Sequence, residues 1–216
     1  MKKIYLLPFL LFIACSGETT KDTETNLVGV SKEYFPNGKL KIEETFVGKE
    51  KNGYSKTYYK TGELETKINF KSGVKQGEGW YYYKNGKTES YLFFGEGKLL
   101  FKRYYDEAQN FIKDEGDGII YSKINKENFY TKDTLIDSLT LATPDNSKVE
   151  FFLTDVDSND SLYNFIRIPL VNKNLAVHKT KSLQNGLFKC GYALKIIDIN
   201  SGKEVQYFYG LKIPIK

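Results

Sequence analysis

Two cysteines, one histidine, one tryptophan, one methionine and five prolines are all that 216 residues contain of these types. Two cysteines are too few for the disulfide framework that staples small secreted domains. A single histidine, His178, leaves no second base from which to assemble a Ser-His-Asp or Cys-His arrangement. A zinc site would have to rely almost wholly on carboxylates. Charge of one sign is also lacking: 32 Lys and Arg stand against 27 Asp and Glu. That excess is small and scattered, which excludes a nucleic-acid footprint. What the chain does have is 17 tyrosines, 15 phenylalanines and 18 glycines. Aromatic side chains favour pleated, half-buried surfaces and glycine favours tight turns, so the composition leans towards β structure.

The N-terminus reads as a targeting segment. MKK is followed by the apolar run IYLLPFLLFIA, residues 4–14, and then by Cys15. A basic start, a short apolar region and a small residue before the cut make a secretory signal peptide. Eleven residues interrupted by Pro8 are too short to span a bilayer, which needs about 20. Ala14-Cys15 resembles the bacterial lipobox, with Phe12 where Leu is commonest. That resemblance implies a cysteine lipidated at the new N-terminus, and Ser16 after it resembles outer-membrane sorting. Residues 1–14 are therefore expected to be a signal peptide. Residues 15–30 are expected to be the lipidated cysteine and a polar tether, because SGETTKDTETN has too few apolar side chains to order itself. Lipidation of Cys15 leaves Cys190 without a partner. In GLFKCGYALKII, Cys190 is expected to be a small buried residue on a strand.

From Tyr34 a repeat begins. Gly38, Gly62 and Gly86 are spaced by 24 residues, as are Tyr34, Tyr58 and Tyr82, and Phe46, Phe70 and Phe94; Gly53 and Gly77 keep the same phase. Apolar residues of one parity between Gly-containing turns, such as Leu64, Ile68 and Phe70, describe antiparallel hairpins joined in a meander. An even period presents the same face in each unit, so Leu40, Ile42 and Phe46 should stack with Leu64, Ile68 and Phe70, and with Leu92 and Phe94. One such hairpin cannot bury its apolar face alone, and neighbours must complete it.

The pattern YxxxGxL…F…G…GxxxxY, carried by Tyr34, Gly38, Phe46 and Gly53, by Tyr58, Gly62, Phe70 and Gly77, and by Tyr82, Gly86 and Phe94, resembles the MORN repeat variant. The resemblance covers residues 31–106. It implies a β-hairpin module of bacterial exported and lipid-anchored proteins, linked to protein interaction, to membrane phospholipids and to antitoxins. An export signal argues against the last. The third unit returns its tyrosine pair early and lacks a turn glycine in DEAQN, as a capping repeat would.

Beyond Asp117 the period vanishes. Seven short apolar runs, IIYSKI, TLIDSLTLA, VEFFLTDV, LYNFIRIPLV, LAVHKT, LFKCGYALKIIDI and VQYFYGLKIPI, are separated by turn formers, which suggests a β-sandwich. The expected fold is thus all-β: a MORN-like antiparallel meander of about three repeats over residues 31–116, then a β-sandwich-like domain over 117–216.

Candidate chemistry is sparse. Asp155, Asp157 and Asn159 have the spacing of a calcium loop, but Asp160 and Ile166 stand where Gly and Glu are needed, so a solvated turn is expected. GEGK at 95–98 lacks phosphate-loop spacing and reads as a hairpin turn. The neighbours Glu43-Glu44 and Asp114-Glu115 would point to opposite faces of a strand, which suits no acid-base pair. No enzyme activity, cofactor or metal is expected. Aromatic residues remain. Tyr54, Tyr58, Trp80, Tyr82 and Tyr104 share one parity, and Tyr59, Tyr81, Tyr83 and Tyr105 the other. One set should be core and the other a docking face, because Tyr and Trp dominate binding hot spots. The candidate surface is Tyr58, Tyr59, Trp80, Tyr81, Tyr82 and Tyr83. The expected function is a lipid-anchored, non-enzymatic binding or scaffolding module of the bacterial envelope, with a protein partner and no nucleic acid. The alternatives are contact of Lys49, Lys51, Lys71 and Lys75 with anionic phospholipid, and carbohydrate binding.

Overall fold

The computed structural model describes residues 27–124, 136–156, 159, 161–179 and 186–215. The signal segment, Cys15 and most of the tether lie outside them, as do Asp157 and Asp160. Among the described residues every regular element is a strand. β1 (Val28–Tyr34), β2 (Leu40–Val47), β3 (Glu50–Tyr58), β4 (Leu64–Lys71), β5 (Val74–Tyr82), β6 (Thr88–Gly95), β7 (Lys98–Tyr105) and β8 (Phe111–Gly116) form one antiparallel sheet in chain order. β9 (Ile119–Ile124), β10 (Ile136–Leu141) and β13 (Leu175–Lys179) form a three-stranded sheet. A four-stranded sheet, ordered β12-β11-β14-β15, is built from β11 (Ser147–Val156), β12 (Leu162–Ile168), β14 (Gly186–Asp198) and β15 (Glu204–Ile215). The all-β meander and the seven strands after it are as the sequence predicts.

The 24-residue period is visible in the turns. Gly62 closes its turn with a bond to Tyr59 O and Gly86 with one to Tyr83 O, both glycines at positive φ. In the turn that closes the third unit Gln109 takes this place at φ 70, its backbone N–H donating to Asp106 O. A side chain there is strained, but the Gln109 amide bonds both the N–H and the C=O of Thr88, as a strand neighbour would. At the other end Ser72-Gly73 and Glu96-Gly97 have paired positive φ values, which the two-residue I′ hairpin requires. GEGK is therefore a hairpin turn, as expected. Turns of successive units also bond each other: Gly73 N donates to Lys51 O and Gly97 N to Lys75 O.

Directly paired residues share a face, so the register defines two long rows. Lys32, Glu43, Lys56, Lys67, Trp80, Tyr91, Arg103 and Asp114 run across the inner face. Ser31, Glu44, Ser55, Ile68, Gly79, Leu92, Lys102 and Glu115 run across the outer face. The stacking of Ile68, Leu92 and Phe94 is borne out, and this cluster lies on the outer face with Phe70 and Tyr81 against it. Grouping the tyrosines by parity holds in the first two units, where Tyr54 packs on Trp80 and Tyr82 joins the same core. It fails in the third, which is one residue shorter: Tyr105 follows Tyr82 by 23 residues, so Tyr105 and not Tyr104 joins Trp80 in the core. The ladder also shifts register at Tyr34, Tyr58, Tyr82 and Tyr105, each a bulge.

The larger core is continuous between the repeat sheet and the strands that follow. Trp80, Tyr91, Phe93, Phe101 and Tyr105 from the inner face pack in one cluster with Leu139, Phe151, Tyr192, Leu194 and Ile196. At its side Arg103 is fully buried. Its guanidinium donates to both oxygens of Asp114, at 2.7 and 2.6 Å, and to Ser147 Oγ at 3.1 Å. Tyr207 OH donates to the same carboxylate, and Phe111 lies 4.6 Å from the guanidinium carbon. Burial, the largest single effect, would lower the Arg103 pKa; the bonds to Asp114 together with the charge of that carboxylate outweigh it and hold the pKa above the ordinary value.

Removing one partner of such a pair strands a buried charge, so Arg103→Met should lower unfolding free energy by about 3–5 kcal/mol. Arg103→Met with Asp114→Leu should recover much of that loss. Denaturant unfolding of the parent, the single and the double variant measures both.

Candidate binding face of the repeat sheet

The six aromatic residues singled out in the sequence are not one surface. Trp80 is only 6% exposed, its indole donating to Asp145 Oδ2 at 2.6 Å, with Tyr82 packed against the same core. Tyr59 and Tyr83 begin the repeat turns, and each hydroxyl reaches the next unit, donating to Tyr82 O at 2.7 Å and Tyr105 O at 2.8 Å. Burial raises both of their pKa values. These tyrosines work as struts between neighbouring turns. Phe35 holds the equivalent place in the first unit, where Asn37 and Lys39 bond the carbonyls of Lys60 and Thr61 instead. Tyr58 is half-buried at its bulge. Only Tyr81 lies on the outer face, half-buried beside Ile68, Leu92 and Phe94.

That outer face carries what a sequence search by aromatic parity passes over. Lys51 Nζ lies 5.5 Å from the Phe70 ring and Lys75 Nζ 5.2 Å from the Phe94 ring, the same pair one repeat apart. Lys102 Nζ lies over Tyr104 at 4.1 Å and near Tyr81 at 5.3 Å. Lysine stems lie along apolar surface and leave their ammonium groups in water. The 24-residue spacing of Lys51 and Lys75, read together with that of Phe70 and Phe94, was a signal available in the sequence. The contacts to the later strands leave from the inner face: Tyr91 OH to Thr143 N, Tyr105 OH to Asp145 O, and Arg103 to Ser147. The outer cluster contains residues of the repeat sheet alone.

The adjacent carboxylates separate as expected. Glu43 pairs with Lys56 and Lys32 on the inner face, and Glu44 with Lys51 and Ser55 on the outer. The bonds to Lys56 and then Lys32 lower the Glu43 pKa. Asp114 is held by Arg103, whereas Glu115 pairs with exposed Lys113. Neither pair converges on a common point. Among the described residues no cluster of three His, Cys, Asp or Glu side chains could hold a metal.

His178 is on the edge strand β13 but buried. Its Nδ1 lies 3.0 Å from Tyr192 OH, opposite Asp137 on β10. Cys190 is buried on β14, as expected, and burial pushes its thiol up to about 11. A thiol so rarely ionised is a poor nucleophile, and Cys190 is a packing residue. Burial lowers the His178 pKa, with Asp137 opposing the shift. A histidine depressed in the folded state is stable in its neutral form. Its contribution is complete above the unfolded pKa of about 6.5 and is lost as pH falls below that. Parent and His178→Gln should therefore differ in the pH dependence of unfolding between pH 7.5 and 5. The parent should lose up to about 1.4 kcal/mol more per pH unit at the acid end. Parallel curves would contradict this assignment.

A comparison with curated proteins gives no match, and a comparison with solved structures gives none. Among family models, that of the MORN repeat variant matches residues 27–47 and 51–72, which cover β1–β2 and most of β3–β4. The third unit lies outside that match but keeps the turn glycine Gly86, the strut Tyr83 and the I′ hairpin at Glu96-Gly97. Residues 27–47 and 51–72 thus match the MORN repeat variant, a non-catalytic repeat module of the kind that binds proteins and membranes.

Proposed function

We propose that the chain is an exported bacterial lipoprotein, held at the outer membrane through Cys15, whose repeat sheet docks an envelope protein without doing chemistry on it. The observation that carries the docking is the outer face: a row of aromatic and aliphatic side chains overlaid by lysines, whose cluster among the described residues contains none from the later strands. Tyr81, Tyr104 and Lys102 are its centre. Trp80 and Tyr82 serve the core, and Tyr59 and Tyr83 hold the turns, so the docking energy is assigned to Tyr81 and Tyr104. The anchor rests on MKK, the apolar run and Ala14-Cys15.

A second reading is favoured by the same lysines. Lys51 and Lys75, with Lys49 and Lys71 in or beside the turns, could meet anionic phospholipid headgroups. The two differ in salt dependence and in partner.

Cys15→Ser should abolish incorporation of labelled fatty acid; continued lipidation would overturn the anchor. Tyr81→Ser with Tyr104→Ser should leave the chain folded, at a cost of about 1–2 kcal/mol of stability. It should also remove the envelope protein recovered by crosslinking from native membranes. Unchanged recovery would overturn the docking face. Salt-sensitive binding to anionic vesicles, unaffected by the tyrosine changes but lost in Lys51→Ser with Lys75→Ser, would support the phospholipid reading instead.

A further inference from the structure

Among the described residues two edges of the repeat sheet are open: β1 stands at one end and β8 at the other, each paired with a strand on one side. Every residue of β1 is exposed, with Val28 at 72% and Val30 at 59%. On β8, Ile112 is 50% exposed, and the Lys113 and Glu115 side chains are 57% and 50% exposed. Natural sheets blunt such edges with proline, inward-pointing charge or a covering segment. Neither strand contains proline, and the apolar residues of β1 stand beside its open edge.

The phase of the repeat says which strand fits each edge. Residues 42, 66, 90 and 113 occupy one row of the even-numbered strands, and residues 33, 57, 81 and 104 the same row of the odd-numbered strands. Inside the sheet every even strand from β2 to β6 is followed by an odd one. β8 is an even strand with no odd strand after it, and β1 is an odd strand with no even strand before it. Continuing the register by one strand from β8 to β1 of a second copy sets Lys113 opposite Glu33, Asp114 opposite Lys32 and Glu115 opposite Ser31. Ile42↔Thr57, Glu43↔Lys56 and Glu44↔Ser55 are the equivalent pairs within one copy. The middle pair there is an ion pair of 2.7 Å. Opposite charges thus meet at two successive positions, one on each face of the sheet. In isolation Lys113 pairs with Glu115 and Glu33 with Lys41, all four side chains well exposed. Asp114 already serves Arg103, and on this geometry Lys32 adds to that cluster from the open side.

We propose that copies of this chain join head to tail, β1 of one completing the open edge of β8 in the next, to extend a single repeat sheet. Two-fold pairings fit less well. β1 against β1 would set Val30 opposite Lys32 and Gly29 opposite Glu33, and β8 against β8 would set Asp114 opposite Asp114. A head-to-tail contact does not close on itself, so it builds a series and not a dimer.

The test uses the full chain in mild detergent. Glu33→Cys with Lys113→Cys should give a ladder of disulfide-linked species on oxidation, while each single variant and the parent, with its buried Cys190, should give no disulfide-linked species. The two single variants mixed should give a dimer. Lys113→Glu should move self-association in sedimentation to about two- to fivefold higher concentration, the effect of one cross-strand charge pair. Adding Glu33→Lys should restore it. Disulfide dimers from Ser31→Cys alone, or from Lys113→Cys mixed with Glu115→Cys, would overturn the proposal in favour of a two-fold pairing. Monomers throughout would overturn it in favour of a free edge.

Discussion

Arg103 is the residue on which two otherwise different parts of this chain converge. A flat meander of hairpins has two faces, and either can be buried only by something laid upon it. At the β5–β8 end the inner face carries Trp80, Tyr91, Phe101 and Tyr105, too much aromatic surface to leave in water. The strands after Asp117 cover it. A buried guanidinium in the middle of that contact would be costly alone. Asp114 on the neighbouring strand, Ser147 on β11 and Tyr207 on β15 together satisfy it, one partner from the repeat sheet and two from beyond it. The same arrangement fixes Tyr207 against Phe101, their rings 5.9 Å apart and edge-on. Sequence period thus sets the sheet, the sheet sets the inner row, and that row sets where the later strands sit.

Much of this was legible before any coordinates. The 24-residue spacing of glycine, tyrosine and phenylalanine is a direct record of one hairpin repeated, and the turns at Gly62, Gly86 and Gly97 fall where it puts them. The seven later strands were legible from apolar runs between turn formers. The facing of the tyrosines was legible in the first two units, where Tyr54, Trp80 and Tyr82 share a parity and a face; in the third, the 23-residue step from Tyr82 to Tyr105 exchanges the roles of Tyr104 and Tyr105. The shared core was not legible. The boundary after Gly116 looks sharp when the period ends there, yet the residues on both sides of it pack in one cluster. His178 is a lone histidine in the sequence, and only the pairing of β13 with β10 and the packing of Tyr192 from β14 show what surrounds it.

The division of labour between faces follows. The inner face is consumed by folding at one end and lined with Glu–Lys pairs at the other. The outer face keeps a small apolar cluster roofed by lysine stems, so it stays soluble while remaining able to bury rings against a partner. Polar side chains of the sheet mostly satisfy each other across strands. The carboxylates that sequence proximity puts together are split by the pleat, and the one thiol among the described residues is buried.

The central claim is that repeat sheet and later strands fold as one cooperative unit through their shared core. Native-state hydrogen exchange measures this directly. The account predicts that amides of β6 and β7, such as Tyr91 and Phe101, open with the same free energy and denaturant dependence as those of Leu194 and Ile196 on β14. Exchange of the β14 amides through a separate, lower-energy opening that leaves β6 and β7 protected would contradict it.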